Sequence, residues 1–321
     1  MAAYKTPLIA LVVLLAAPTV RLKPDTTYRM QSDARQYVVS AFSRTLQAQT
    51  HPQRIVSIVP SVTEMLFAMG AGRRVVGVGN FDRYPPEALT RAKVGGLIDP
   101  DIERIISLKP DLVVVYGTQT DLRTQMERAG IPIFLYQHAG LSDITATIRE
   151  LGTRVGSVKE STEVANQIEA DIADVKRRVA GRPRPRTLLV FGRDAETLRG
   201  IYASGGTGFL HDMLDAAGGT NVFADVKRQS VQTTSELAVS RAPEVIVEIG
   251  VDTASTTGRN LRAWEALGAI PAVRTKRIYQ LRGDEMMNPG PRIAAAVRRV
   301  AEALHPGVSM GSGTGTGVRP Q

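Results

Sequence analysis

The sequence contains no cysteine among its 321 residues, and it has few aromatic side chains, with one tryptophan and 5% aromatic residues in all. Without cysteine the chain cannot form disulfides, zinc–thiolate sites, iron–sulfur clusters or a lipid-modified N-terminal cysteine. The four histidines are scattered, without the i,i+4 spacing of a helical metal site. We therefore expect no metal site and no resident cofactor.

Motifs of catalysis are also missing. Gly77, Val78 and Gly79 follow an apolar run as a dinucleotide loop would, but Asp82 stands at the third glycine position. Residues 205–208 (GGTG) precede a helical pattern but lack the Gly-Lys-Ser/Thr of a phosphate loop, so a helix-entry turn is favoured over an anion site. No Ser/His/Asp set and no carboxylate pair stands out. The sequence favours a binding protein without catalytic residues over an enzyme.

Basic residues exceed acidic ones, 40 to 31, for a net charge of +9. The densest basic runs, residues 176–178 and 182–186, lie at a helix end and in a proline-rich connector. A nucleic-acid-binding protein concentrates such residues on one stripe and places aromatic side chains between them. We expect no nucleic-acid partner.

The ends of the chain differ in composition from its middle. Residues 8–17 (LIALVVLLAA) form an apolar run behind Lys5 whose length fits a signal peptide better than a membrane span. We expect residues 1–50 to be a signal and N-terminal segment of an exported, periplasmic protein. The alternatives are a wrongly chosen start codon or a cytosolic protein with an apolar end. Residues 306–321, rich in glycine, predict a flexible tail.

Strands and helices alternate in the middle of the chain. The apolar β-branched runs predict strands, and the segments between them have helical spacing; the strands are 54–59, 75–78, 111–115 and 131–136, and the helices are 63–69, 102–108 and 122–129. Strands that are apolar throughout predict α/β lobes with parallel sheets covered on both faces.

The second half of this region repeats the first. ERIISLKPDLVVV (103–115) aligns with ELAVSRAPEVIVE (236–248), and Pro110 and Pro243 are 133 residues apart. The strand starts at Arg54 and Arg186 are 132 residues apart. The shared offset predicts two homologous lobes, residues 51–158 and 182–305.

Between the lobes, residues 159–181 predict a single long helix. Apolar residues recur there at spacings of three and four, at Val164, Ile168, Ile172, Val175 and Val179. About 20 helical residues span about 30 Å. We expect two Rossmann-like lobes joined by one rigid helix; a helix packed on one lobe alone would leave the lobes free to swing.

Parallel sheets bind ligands at the carboxyl ends of their strands. The loops predicted there carry three flat apolar side chains and three cations that could meet anionic groups: Phe81, Tyr84, Tyr116, Arg83, Arg193 and Arg282.

Three motifs in order, RIVSIVPSVTEMLFAMGAG, VGVGNFDRYPPEA and IERIISLKPDLVVV, resemble the first lobe of the receptors for siderophores, cobalamin and haem that serve ABC importers. The likeness runs from about residue 53 to 304. It implies a non-enzymatic, monomeric bilobal receptor that clamps a metal chelate in its cleft and delivers it to a permease dimer.

The cobalamin receptors of this family also imply particular residues. They place aromatic contacts at Phe81 and Tyr116 and a carboxylate contact at Asp284, while Asn288 stands for an arginine and Leu97 for a tryptophan. We expect a corrinoid-like chelate, with a ferric siderophore or haem as the alternative. A cytosolic chelatase-like enzyme with two lobes is a further alternative, which the lack of cysteine disfavours.

Glu103 and Glu236 occupy equivalent positions in the two repeats. The resemblance implies that each carboxylate docks against arginines of the permease, one from each lobe. The alternative is that both are ordinary solvated glutamates near a helix start, where the helix dipole favours them.

Overall fold

The first lobe contains a parallel sheet. A computed structural model of the chain describes residues 51–137, 140–251 and 260–311, so the predicted signal segment lies outside the described residues. The strands are β1 (Ile55–Ser57), β2 (Val75–Val78), β3 (Ala92–Lys93), β4 (Leu112–Tyr116) and β5 (Ile133–Tyr136). They pair in the order β3-β2-β1-β4-β5, with every pairing parallel.

Helices connect the strands of this sheet, as the alternating pattern predicted. They are α1 (Pro60–Ala68), α2 (Ile102–Ser107), α3 (Thr120–Arg128) and α4 (Leu141–Val155). Residues of β1 and β4 are buried because helices cover both faces of the sheet. The α/β class predicted for this lobe is confirmed.

The second lobe has a mixed sheet, which corrects the prediction of parallel sheets in both lobes. Its strands are β6 (Arg186–Gly192), β7 (Ile201–Ser204), β8 (Thr220–Asn221), β9 (Ser230–Thr233), β10 (Val245–Gly250) and β11 (Ile278–Arg282). β11, β10 and β6 are parallel, but β7 runs antiparallel to β6 and to β9. The short link between β6 and β7 allows only a hairpin, since a parallel crossover needs a dozen or more residues.

The helices of the second lobe are α6 (Phe209–Ala216), α7 (Ser235–Arg241), α8 (Pro271–Arg274) and α9 (Ile293–Leu304), numbered after the interlobe helix α5 (Val158–Val179). The prediction of one long helix between the lobes is confirmed, since α5 has 22 residues and extends about 33 Å.

The interlobe helix α5 packs on α4 of the first lobe and on α9 of the second. A Cβ added at Gly152 of α4 would lie 1.9 Å from Ser161 Oγ, so glycine permits the close approach of the two helices.

The first residues of the predicted flexible tail, 306–321, are packed against the second lobe and α5, and residues 312–321 lie outside the described residues. Met310 is 2% exposed and joins the core, and the Ser309 carbonyl accepts a hydrogen bond from Arg178 Nη1 of α5 at 3.0 Å. The glycine-rich composition hid this contact because one buried methionine is a weak signal. The described chain ends at Gly311.

One apolar core extends through both lobes by way of α5, and a second core lies on the other face of the second sheet around Trp264. Within the described ranges, no helix has the length and apolar character needed to cross a bilayer.

The predicted repeat is confirmed at the level of single hydrogen bonds. The Asp111 carboxylate accepts from the backbone N–H groups of Gln53 and Arg54, at 2.7 and 2.8 Å. The Glu244 carboxylate, 133 residues later, accepts from the N–H of Arg186 at 2.8 Å. Both carboxylates tie the start of a central strand to the first strand of the same lobe.

Candidate functional site

The first lobe carries an apolar rim after β2, β3 and β4. Phe81 is 66% exposed and lies against Gly96, whose added Cβ would be 3.3 Å from the ring. Leu97 and Ile98 continue the rim, and Ile98 is 99% exposed. Exposed apolar side chains that cluster at a cleft indicate a binding surface.

Gln119 joins this rim to Tyr116. Its Nε2 donates to the Leu97 carbonyl at 2.6 Å, and its Oε1 accepts from the Tyr116 N–H at 2.9 Å. The structure therefore brings Phe81, Leu97 and Tyr116 to one edge of the sheet. These are three of the residues that the sequence singled out.

Tyr116 contacts Tyr136, which in turn contacts the second lobe. The two rings meet edge to face, with centroids 5.7 Å apart, and Tyr136 Oη donates to the Pro289 carbonyl of the second lobe at 3.5 Å. Burial raises the pKa of Tyr116, and it raises that of Tyr136 to about 12. Both phenols are neutral at physiological pH.

Asp284 and Asn288 lie in one loop of the second lobe, after β11. The N–H of Asn288 donates to the Asp284 carbonyl at 2.9 Å, and the Asn288 side chain lies close enough to Glu64 of α1 to lower the pKa of that carboxyl. Asp284 is close enough to Glu64 for its charge to raise the pKa of that carboxyl, although burial is the larger cause. The loop that carries Asp284 and Asn288 therefore lies next to Glu64 of the first lobe.

Tyr84 belongs to a different pocket from Phe81. The Arg292 guanidinium carbon lies 4.0 Å from the Tyr84 ring centroid, a cation–π geometry. A pocket of about 500 Å³ opens beside this pair, and Phe67, Arg73 and Arg91 line it too. Phe81, Leu97 and Tyr116 are absent from its lining, which comes from both lobes. Arg83, between Phe81 and Tyr84, is exposed.

Asp82 is a buried carboxylic acid next to Phe81. Neither of its carboxyl oxygens has a hydrogen-bond partner within the described part of the chain. Burial raises its pKa to about 6, although the nearby Lys93 ammonium acts in the opposite direction. Lys93 Nζ itself donates to the carbonyls of Gly79 and Asp82.

Arg193 corrects the sequence prediction, because its side chain is fully buried and points into the protein. Its Nε donates to Glu248 Oε1 at 2.6 Å, and its Nη atoms donate to backbone carbonyls that include those of Thr197 and Asn260. Trp264 Nε1 donates to the same Glu248 oxygen at 2.6 Å. Arg193 braces two loops, and no donor faces the cleft for an anionic ligand.

The glycine loop at residues 205–208 is a tight turn, as the sequence favoured. The N–H groups of Gly205 and Gly206 donate to the carbonyls of Gln229 and Val226. An added Cβ would lie 2.1 Å from a backbone oxygen at either glycine. Two of the four N–H groups of this loop are therefore used within the protein.

Glu103 and Glu236 occupy matching positions in the structure. Each is exposed and lies in the first turn of its helix, α2 or α7. The helix starts also match, since Asp101 caps the N–H of Arg104 at 2.8 Å and Thr234 caps that of Leu237 at 3.3 Å.

Sequence reasoning missed Glu64, Arg292 and Glu248. A signal was present for the two glutamates, because an acidic residue interrupts an apolar run in VTEMLFAM and in VIVEIG. A charge at such a position predicts a buried ionic partner. It does not say which of the 40 basic residues supplies it.

The family model described as "Periplasmic binding protein" matches residues 55–285. An uncharacterized ABC transporter substrate-binding lipoprotein of Bacillus subtilis is 30% identical over 274 residues, which cover 83% of this chain and 84% of that protein. The vitamin B12-binding protein of Salmonella typhimurium is 29% identical over 256 residues, covering 78% of this chain and 90% of that one.

Solved structures give the same result. The periplasmic vitamin B12 binding protein of Vibrio cholerae superposes with a TM-score of 0.67 at 26% identity, covering 79% of this chain and 96% of that one. A periplasmic heme-binding protein from Roseiflexus superposes with a TM-score of 0.64, also at 26% identity, covering 78% and 97%. Similarity over most of this chain and nearly the whole of each solved structure supports the two-lobe fold.

Proposed function

Because this chain belongs to the periplasmic binding protein family, and is thus a substrate-binding protein of an ABC importer and not an enzyme, we propose that its substrate is a corrinoid-like metal chelate. The proposal places the chelate in the cleft between the lobes. Phe81, Leu97 and Tyr116 would contact its apolar surface, and Asp284 and Asn288 its polar groups.

The observation that carries this proposal is the continuous rim from Phe81 through Leu97 to Tyr116. A large, flat chelate needs a wide apolar surface, and these side chains form one that ends near the Asp284–Asn288 loop. Arg83 is retained as a contact at the edge of this surface. Tyr84 is placed at its margin, since Arg292 already stacks on the ring.

Haem or a ferric siderophore is the second candidate. The similarity to a heme-binding protein from Roseiflexus supports it, because that protein matches this chain about as well as the Vibrio cholerae protein does. The described residues contain no group of three or more His, Asp or Glu side chains that could hold a metal ion. We propose that the contacts named above recognise the organic periphery of the chelate.

Ligand identity is tested by thermal unfolding with cobalamin, cobinamide, haem and a ferric hydroxamate. The true ligand at about 100 times its Kd stabilises the protein by about 2.7 kcal/mol. Phe81→Ala and Tyr116→Ala should weaken binding, whereas Leu89→Ala, at an exposed apolar residue outside the rim, should not. The absence of a shift with every chelate would overturn the proposal.

For delivery, we propose that Glu103 and Glu236 dock on the permease dimer, with the receptor acting as a monomer. The matched helix starts support this, because like charges at equivalent sites suit a partner with twofold symmetry. Glu103→Lys with Glu236→Lys should abolish permease binding and leave chelate affinity unchanged. Glu127→Lys with Glu265→Lys makes the same charge change at exposed sites on both lobes and should have no effect.

For localisation, we propose export directed by the apolar run at residues 8–17. The N-terminal sequence of the protein recovered from the periplasm tests this directly. A mature start after residue 17 supports export, and an intact Met1 in the cytosol would contradict it.

A further inference from the structure

One ion pair, in the lining of the pocket that holds Tyr84, joins the two lobes. Arg292, at the start of α9 in the second lobe, donates from Nε and Nη2 to the two carboxylate oxygens of Glu64 in α1, at 2.9 and 2.7 Å. The side chains are 21% and 3% exposed. Among the residues that the structure describes, no other ion pair links the first lobe to the second.

Arg292 is held on its remaining sides as well. Its guanidinium stacks on Tyr84 of the first lobe, and Nη1 lies 3.4 Å from Glu285 Oε2. The other Glu285 oxygen accepts from Arg299 Nη1 of α9 at 2.5 Å. A planar guanidinium with a carboxylate in two-point contact, an aromatic face and a second carboxylate around it has one orientation.

This pair reaches the proposed ligand loop by two routes. Glu285, which contacts Arg292, lies in the short 3-10 turn Asp284–Met286. Asn288, at the other end of the loop, lies close enough to Glu64 to lower the pKa of that carboxyl. Both ends of the loop therefore lie next to the ion pair.

We infer that Glu64 and Arg292 are positioning residues that set the spacing of the lobes and hold the loop carrying Asp284 and Asn288 in its binding geometry. The link to ligand binding rests on the function proposed above. The link to lobe spacing does not.

The long helix α5 alone does not fix the orientation of the two lobes. Such a helix resists bending but still allows one lobe to rotate about the helix axis. A partly buried two-point ion pair between the lobes opposes that rotation, because separating the charges leaves the buried Glu64 carboxylate without its partner. The helix α5 and the ion pair together constrain both lobe distance and lobe angle.

Lobe spacing is tested without any ligand. Since the chain has no cysteine, cysteines introduced at the exposed Thr124 and Glu302, one in each lobe, carry spin labels uniquely. We expect one narrow distance distribution in the parent protein and a broader one in Glu64→Gln and in Arg292→Lys. Glu64→Gln keeps the size of the side chain, and Arg292→Lys keeps its charge. Asp225→Asn breaks an ion pair within the second lobe and should leave the distribution narrow.

Loop positioning is tested by hydrogen exchange, also without ligand. The N–H groups of Met287 and Asn288 donate to the Asp284 carbonyl, so they report on the loop directly. In Glu64→Gln and Arg292→Lys we expect their exchange to be at least about tenfold faster, while amides of β10 are unchanged. Unchanged distances and unchanged exchange in folded variants would overturn the inference.

Measuring chelate affinity in the same variants distinguishes a failure of this inference from a failure of the proposed function. If the parent protein binds a chelate, both variants should raise Kd by about tenfold. Unchanged affinity together with faster loop exchange would overturn the role in binding. If the parent binds no chelate, the proposed function fails, but the distance and exchange measurements still decide the inference on lobe spacing.

Discussion

Val115 in the first lobe and Glu248 in the second occupy the same place in the repeat, on the central strands β4 and β10, and both are fully buried. Val115 packs in an apolar core. Glu248 instead holds Arg193 and Trp264. The two lobes thus share a backbone plan but stabilise their cleft loops differently.

The difference follows from the sheets. In the first lobe, parallel strands end at one edge, and helices that start there fix the loops. In the second lobe the antiparallel hairpin of β6 and β7 replaces one such unit. Its loop at residues 193–199 has no helix to hold it. The buried Arg193 guanidinium supplies that support by binding carbonyls of the loop and of Asn260.

Giving the second lobe the residue of the first should have the largest effect. Glu248→Val leaves the Arg193 charge buried without a partner, so we expect a loss of about 3–5 kcal/mol in the free energy of unfolding. Urea denaturation measures it. Arg193→Met combined with Glu248→Val removes both charges and should recover part of the loss. A double variant less stable than Glu248→Val would show that the ion pair does not explain the difference between the lobes.

The same comparison shows how much the sequence could predict. The strand ends placed Phe81 and Tyr116 together, because side chains that follow parallel strands meet at one edge, and the resemblance to the family added Leu97. The mixed second sheet was not predicted because β7 and β9 have no counterpart in the first repeat that would indicate them.

The orientation of Arg193 and the pairing of Glu64 with Arg292 could not be predicted from the sequence, for a different reason. Arg193 follows β6 as a ligand contact would, and sequence position does not distinguish an inward guanidinium from an outward one. Glu64 and Arg292 are 228 residues apart, and no spacing rule relates them. Only the fold brings such residues together.

Asp82 gives the first lobe a pH dependence that we do not expect from the second. Its pKa is 3.8 when unfolded and about 6 when folded, so its contribution to stability is lost as pH rises between these values. The loss amounts to about 3 kcal/mol. Asp82→Asn cannot ionise, so relative to the parent it should gain up to this amount between pH 4 and pH 7.5 in thermal or urea unfolding.

The control for this effect lies in the second lobe. The Arg241 guanidinium lowers the pKa of Asp225, so the stability of that pair is present at neutral pH and lost as pH falls. Asp225→Asn should therefore shift the pH profile in the opposite direction to Asp82→Asn. A parallel shift in both variants would mean that net charge, rather than burial of Asp82, governs the profile.

The equivalent carboxylates Asp111 and Glu244 should differ by the number of hydrogen bonds they accept. Asp111 accepts two backbone N–H bonds and Glu244 accepts one. We expect Asp111→Ala to cost about 2 kcal/mol and Glu244→Ala about 1 kcal/mol in urea unfolding. Equal losses in the two variants would show that the bonds from Gln53 and Arg54 do not add.

The smallest effect concerns the residue before each repeat proline. Lys109 and Ala242 are equivalent, and both have a left-handed backbone, with φ of 47° and 46°. A residue with a side chain loses about 1–2 kcal/mol in this conformation. Glycine adopts it without strain, but it loses about 0.5–1 kcal/mol more conformational entropy on folding. Lys109→Gly and Ala242→Gly should each stabilise the protein by about 0.5 kcal/mol, and additively, because the sites lie in different lobes. Ala129→Gly, which follows α3 with φ of −78°, has no strain to relieve and should destabilise. If Ala242→Gly behaves like Ala129→Gly in the same thermal unfolding series, the left-handed turns of the two repeats carry no strain.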